Sequence, residues 1–383
     1  MDDGQGRNVS GRLASLDALR GFDMLFIMGF AALVVKLCVA LGWGAQCGLA
    51  RQMTHPPWIG LTHHDTIFPL FLFIAGVSFP FSLAKQRANG RTTAQIVWRV
   101  LKRMAALVLL GMVYERYFQG EPFRFGSVLG RIGMAWAVAA GLYLACGVRT
   151  RIAVAVALVI GYWALNLFVP APDAGAAGVF EPQGNIVCWV DRQVLAPLGR
   201  IFPGTAELPF DNQSLLSNLM AVVTAMLGTF AGAFVRDTRG RLSGDRQTLL
   251  LVLAAVALEA LGLLVAFGCG AWSFPISKPL WSPSFTLIVG GYSVLMFAIF
   301  YWLIDVKGWW RRTLFFRVIG LNAIAIYLAQ PILNMANVNR LIFGRFAGWF
   351  PAAWTEPVLA ATYVLLCWLF LFGLHRKGLY FKV

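Results

Sequence analysis

Three of the four histidines in this chain, His55, His63 and His64, fall within ten residues, and a carboxylate, Asp65, follows directly. The segment His55-Pro-Pro-Trp58-Ile-Gly-Leu-Thr62 leads into the apolar run Phe68-Pro69-Leu-Phe-Leu-Phe-Ile-Ala-Gly76. A lipid-facing helix has no use for imidazoles, a carboxylate or an internal proline, and an ionisable group at membrane depth marks a functional site by default. A histidine oriented by a neighbouring aspartate is a general base suited to neutral pH. A helix beginning near Trp58 would set Trp58, Thr62, Asp65 and Pro69 on one face, with His55 just before it at the mouth of a cavity. The competing reading of His55 is a purely structural histidine; the carboxylate on the same short segment and the apolar surroundings weigh against that. Zinc held by His55, His63, His64 and Asp65 is a third use of these residues. No HxxxH pair is present to bring two imidazoles to one helix face, so no metal is expected.

A second constellation lies in Ser15-Leu-Asp17-Ala-Leu-Arg20-Gly21-Phe-Asp23. Asp17, Arg20 and Asp23 are three residues apart and so are neighbours on a helix. As a bland reading they anchor the helix at the membrane surface. As a functional reading, Arg20, compensated by the carboxylates, binds a phosphate-bearing donor from the cytoplasm, because a planar guanidinium grips phosphate oxygens. Arg99, Lys102 and Arg103 could add to a basic mouth, although topology alone accounts for them.

The elements that must carry these residues follow from composition. The 383 residues are 59% hydrophobic and 13% charged, with a mean hydropathy of +0.70. Ordinary soluble domains carry roughly 25% charge. The chain therefore reads as an all-α, polytopic membrane helix bundle, a single integral-membrane domain over 1–383. Hydropathy breaks predict ten spans, at about 18–42, 63–84, 96–114, 127–147, 152–170, 214–235, 248–269, 284–304, 318–336 and 356–374. Alternation then collects 22 of the 32 Lys and Arg on the side that bears both termini, which the positive-inside rule makes the cytoplasm. The net charge of +15 is thus a topology signal. No contiguous basic face on a soluble module exists to suggest nucleic acid. The stretch 171–213, rich in Pro and Gly, is expected as a small outer loop or cap. The polar start Met1–Gly11 gives no sign of a cleaved signal peptide, and no internal repeat is evident. Cys47, Cys188 and Cys269 fall at or beyond the outer boundary, where an oxidising compartment could pair two of them.

Taken in order, these residues resemble a family. Asp17-Ala-Leu-Arg20-Gly21 and then His55-x-x-Trp58-x-Gly60-Leu61-Thr62-x-x-Asp65-x-x-Phe68-Pro69 are similar to the heparan-α-glucosaminide N-acetyltransferase family and its bacterial relatives among the transmembrane acyltransferases. The similarity continues through Gly130-Arg131-Ile-Gly133, Gly184-Asn185, Asp191-Arg192 and Asp211–Ser217. Lys278-Pro-Leu-Trp281-Ser282, Asp305-Val-Lys-Gly308, Gly320-Leu-Asn322 and the tail from Arg376 complete it. Each motif is weak alone, and the ordered series spans nearly the whole chain. The resemblance implies acetyl transfer from cytosolic acetyl-CoA to an amino sugar across the membrane, in a bacterial plasma membrane, with the family's active-site histidine falling on His55. Asp65 would orient or charge-balance it. Arg20, Asp17, Arg103 and Arg131 are the donor-side candidates, and Trp58, Asn185, Lys278, Trp281 and Asn322 the acceptor-side ones. The family's first-span asparagine falls on Ala31 here, and its large N-terminal luminal domain has no counterpart, so the acceptor is expected to differ from heparan. A periplasmic glycan O-acetyltransferase of the same membrane type and a permease are the rival readings, and a homodimer is compatible with each. Transfer across the bilayer would require a hydrated tunnel with Arg20 near its inner mouth, His55 near its outer constriction and Asp65 in its wall.

Overall fold

The computed structural model describes residues 13–118, 120, 126–198, 211, 213 and 215–381. Among these there is no β-strand, only two isolated bridges, and the architecture is the expected all-α bundle. Eight helices among the described residues are long and apolar enough to cross a membrane: Ala14–Ala40, His63–Ala88, Val128–Ala145, Val148–Phe168, Asn218–Thr238, Gly244–Gly268, Pro283–Val306 and Ala352–Arg376. Such a helical set identifies an integral, multi-pass membrane protein.

Eight of the ten expected spans fall on these helices, and the other two fall on elements of a different kind. The segment 96–114 lies inside the helix Thr93–Phe118, whose 26 residues are long enough to cross but which carries Arg99, Lys102, Arg103, Glu115 and Arg116. The segment 318–336 is a broken pair, Trp309–Leu321 and Ala323–Ile332, bent by 55° at Asn322. A separate helix, Met335–Ala347, follows it. Of the expected cap at 171–213, residues 199–210 and 212 lie outside the described residues, as does Met1–Gly11. The remainder contains the helix Ile186–Leu198.

The chain divides into two compact units, each built from separated stretches of sequence. The first comprises Met1–Pro56, Thr62–Ile67 and Met296–Val383. Here Ala14–Ala40 begins without a capping side chain of its own. The amides of Ala14 and Ser15 donate instead to Asp305 Oδ1 and Oδ2, at 3.0 and 3.1 Å. Those amides are among the orphan donors at any helix start, and a carboxylate also suits the positive end of the helix dipole. The helix then crosses Leu314–Leu321 at a glycine-to-glycine contact. A Cβ on Gly21 would lie 1.7 Å from the carbonyl oxygen of Phe316, and one on Gly320 would lie 1.8 Å from that of Asp17. Backbone cannot yield as a side chain can, so Gly320→Ala is expected to cost about 3 kcal/mol of stability. A lowered melting temperature of the purified protein checks this. Further along, Phe26–Phe30 forms a π-bulge in which Gly29 has φ +111°, against the ring of Tyr363. Bulges of this kind recur at functional sites.

The second unit comprises Pro57–Leu61 and Phe68–Leu295. Within it, the helices His63–Ala88 and Asn218–Thr238 approach through Gly76, Gly228 and Gly232. At each of these glycines a Cβ would lie 2.1–2.3 Å from the opposing backbone oxygen. Small residues that let helix backbones meet are the usual basis of helix packing in lipid. The core of this unit gathers around Trp281, which is 1% exposed and packs edge-on to Phe68 and Phe285.

Candidate active site

The helix that follows the histidine segment begins at His63, so Trp58 and Thr62 precede it and do not share a helical face with Asp65. Local chemistry sets that start. Thr62 N donates to Asp65 Oδ2 at 3.0 Å, and Thr62 Oγ1 lies 3.1 Å from the same oxygen while donating to the Thr54 carbonyl at 2.6 Å. A side chain three residues into a helix that reaches back to the capping amide is one half of a capping box. Upstream, Gln52 accepts from His63 N through Oε1 at 2.9 Å and from His64 N through its own carbonyl at 3.0 Å. The segment from Gln52 to Thr54 is thereby clamped onto the first residues of the helix.

This arrangement brings His55 and Asp65 together. His55 Nδ1 lies 2.6 Å from Asp65 Oδ1. A carboxylate only accepts, so Nδ1 carries the proton, and in the neutral imidazole Nε2 is then the acceptor nitrogen. The Asp65 side chain is fully buried and that of His55 is 49% exposed. One oxygen of Asp65 therefore holds the turn and the other holds the imidazole, whose ring stays half exposed. The ring of His64 sits 4.5 Å from that of His55, and the ring of His63 sits 4.5 Å from that of Phe26. Phe26 is halfway along the 27-residue helix Ala14–Ala40, so within this unit His63, the first residue of the next helix, is level with the middle of the first span and its π-bulge. Among the described residues, no three His, Cys, Asp or Glu side chains form a group that could hold a metal ion.

The other expected site residues fall into two groups. Arg20 pairs with Asp17 at 3.1 Å and keeps a quarter of its side chain exposed, in the same unit as His55. Asp23, expected to share in that pair, stands apart: it is 2% exposed, and its Oδ2 meets no hydrogen-bond donor. Arg103 is half-buried and stacks on Trp136. Arg131, expected at the donor, is wholly enclosed. Its Nη2 donates to Ser217 Oγ at 2.6 Å, and its guanidinium lies 4.7 Å from the ring centre of Trp281. The guanidinium is thus enclosed by side chains of its own unit.

Several acceptor-side candidates are likewise engaged by the protein itself. Trp58 Nε1 donates to the Phe180 carbonyl at 2.7 Å. Asn185 donates to the Val179 carbonyl and to Asn166 Oδ1, and accepts from Val187 N. Asn322, at the break of the bent helix pair, donates to the Leu379 carbonyl and accepts from Phe381 N. Trp281 adopts φ +49°, and its indole nitrogen donates to Thr224 Oγ1. Lys278 lies half-buried in the turn just before it.

Cys47, Cys188 and Cys269 are free thiols, so the pairing open to them on position alone is not made. Burial, with Asp191 nearby, pushes the Cys188 thiol up to about 12. The clamp residues Gln52 and Thr54 were not among the expected site residues. Their only signal in the sequence is proximity to His55.

Comparison with known proteins agrees with the family resemblance. A family described as a domain of unknown function (DUF5009) matches residues 12–117, which include Arg20, His55 and Asp65. Over 97% of its length the chain is 24% identical to the heparan-alpha-glucosaminide N-acetyltransferase of Homo sapiens, and over 98% to that of Mus musculus at the same identity. The chain covers 60% and 61% of those two relatives. It is thus similar, at a distance and along nearly all of its own length, to proteins named as N-acetyltransferases.

Proposed function

We propose that this protein is a transmembrane acetyltransferase that moves an acetyl group from cytosolic acetyl-CoA to an amino sugar on the opposite side of a bacterial plasma membrane. The observation that carries the reading is the 2.6 Å bond between His55 Nδ1 and a fully buried Asp65. The names of the two relatives support the reaction class. Acyl transfer from a thioester to an amine needs a base that takes the amine proton as nitrogen attacks the carbonyl carbon. His55 Nε2 is that base. Asp65 holds the tautomer that makes Nε2 basic, and stabilises the imidazolium once the proton has moved. As the tetrahedral centre collapses, the bond from carbon to sulfur breaks and the thiolate of CoA leaves. The imidazolium can return the proton to it.

The level of the histidine cluster also supports transfer across a bilayer. A 27-residue helix is about 40 Å long. With His63 level with its midpoint and His55 in the same cluster, the thioester would have to climb only about half that distance, within the reach of an extended pantetheine arm. Arg20, partly exposed and charge-balanced by Asp17, is suited to the phosphates that stay behind. Sealed vesicles of known orientation test the proposal. Acetyl-CoA is expected to support acetylation of glucosamine-like acceptors only when supplied to the face bearing the termini. Equal activity from either face would contradict it.

A further inference from the structure

Asp23 has no role in the chemistry above, and its surroundings demand one. It is 98% buried by residue surface in the first unit, and Oδ2 is sealed from solvent without a donor. Buried carboxyl groups are costly unless hydrogen-bonded, and an unsatisfied one in an otherwise well-packed core calls for a specific reason. Arg20, one turn before it, is directed to Asp17. One turn after it, Phe26 both opens the π-bulge and lies against His63. Asp23 therefore occupies the stretch of the first span between the arginine suited to phosphate and the level of the His55–Asp65 pair.

Resting on the donor assignment above, we propose that Asp23 is a binding residue for the polar arm of the acyl donor, accepting hydrogen bonds from its amide or hydroxyl groups. The chemistry matches the location. A pantetheine arm between a phosphate site and a catalytic base carries two amides and one hydroxyl, each offering a donor. An acceptor buried along its course reads those donors and discriminates against a plain alkyl chain. The π-bulge supports the assignment independently, because it interrupts the regular helix beside Asp23, where a close-lying ligand needs room.

The test uses the full chain in detergent or nanodiscs, with coenzyme A and phosphate-free pantetheine as probes in titration calorimetry. Asp23→Leu is expected to weaken both probes by the same factor, about 10- to 100-fold. It should also raise the melting temperature of the ligand-free protein, since it removes an unsatisfied buried carboxyl. Asp23→Asn, which keeps the shape and one acceptor oxygen, is expected to retain most of the affinity and to fold normally. Unchanged binding in Asp23→Leu, a loss confined to coenzyme A, or a lowered melting temperature in both variants would each overturn the proposal. If the unsubstituted protein binds neither probe, the donor assignment itself fails and takes this inference with it, a result distinct from failure in the variants alone.

Discussion

His55→Ala is expected to reduce acetyl transfer by about 10²–10⁴-fold, the usual loss when a general base is removed. The protein should fold normally. The His55 side chain is half exposed, and the turn around it is held by Gln52, Thr54, Thr62 and Asp65. Coenzyme A affinity should stay within a factor of two or so, because the base acts on the acceptor and not on the donor's phosphates. The measurement is steady-state turnover with acetyl-CoA and an amino sugar, alongside calorimetric binding of coenzyme A. Normal turnover in the variant would exclude His55 as the base, whereas a parallel loss of coenzyme A binding would assign it to the donor.

Asp65→Asn should be nearly as damaging, although it changes only a few atoms. An amide in place of the carboxylate keeps one oxygen for the Thr62 amide, so the helix start is preserved. Facing His55, it would present an N–H where the wild type accepts one. The imidazole then moves its proton to Nε2, and the nitrogen that should take the acceptor's proton becomes a donor. The equivalent change in a serine protease triad costs about 10⁴-fold in kcat, and a loss approaching that is expected here, with little change in KM. The double variant His55→Ala/Asp65→Asn should be no slower than the worse single one, since residues acting as a unit are not additive. If the two losses multiply, Asp65 contributes by some route other than His55.

Asp65 and His55 were legible in the sequence because their contact is local. Ten residues separate them, and Thr62-x-x-Asp65 carries a helix-capping pattern that fixes where the helix starts. The all-α membrane class was equally legible, since hydropathy is a property of each segment alone, and each of the ten expected segments overlaps a helix. The same one-dimensional signal could not show that Asn322 bends one of those segments by 55°. An asparagine inside an apolar run acquires that meaning only through Leu379 and Phe381, more than fifty residues away. The surroundings of Arg131 were hidden for a related reason. Nothing in the local sequence shows that Ser217 and Trp281 are packed around its guanidinium. Which helices meet was decided at Gly21, Gly320, Gly76 and Gly228, whose lack of a side chain lets backbones touch and leaves no trace in a hydropathy plot. Asp305, which caps Ala14 from 291 residues away, and Asp23, which loses its expected cation, follow from those crossings. Residue types and local spacing determined the membrane class and the His55–Asp65 contact. Only tertiary packing decided which of the remaining polar groups find partners within the protein, because a buried polar group is assigned by its neighbours in space.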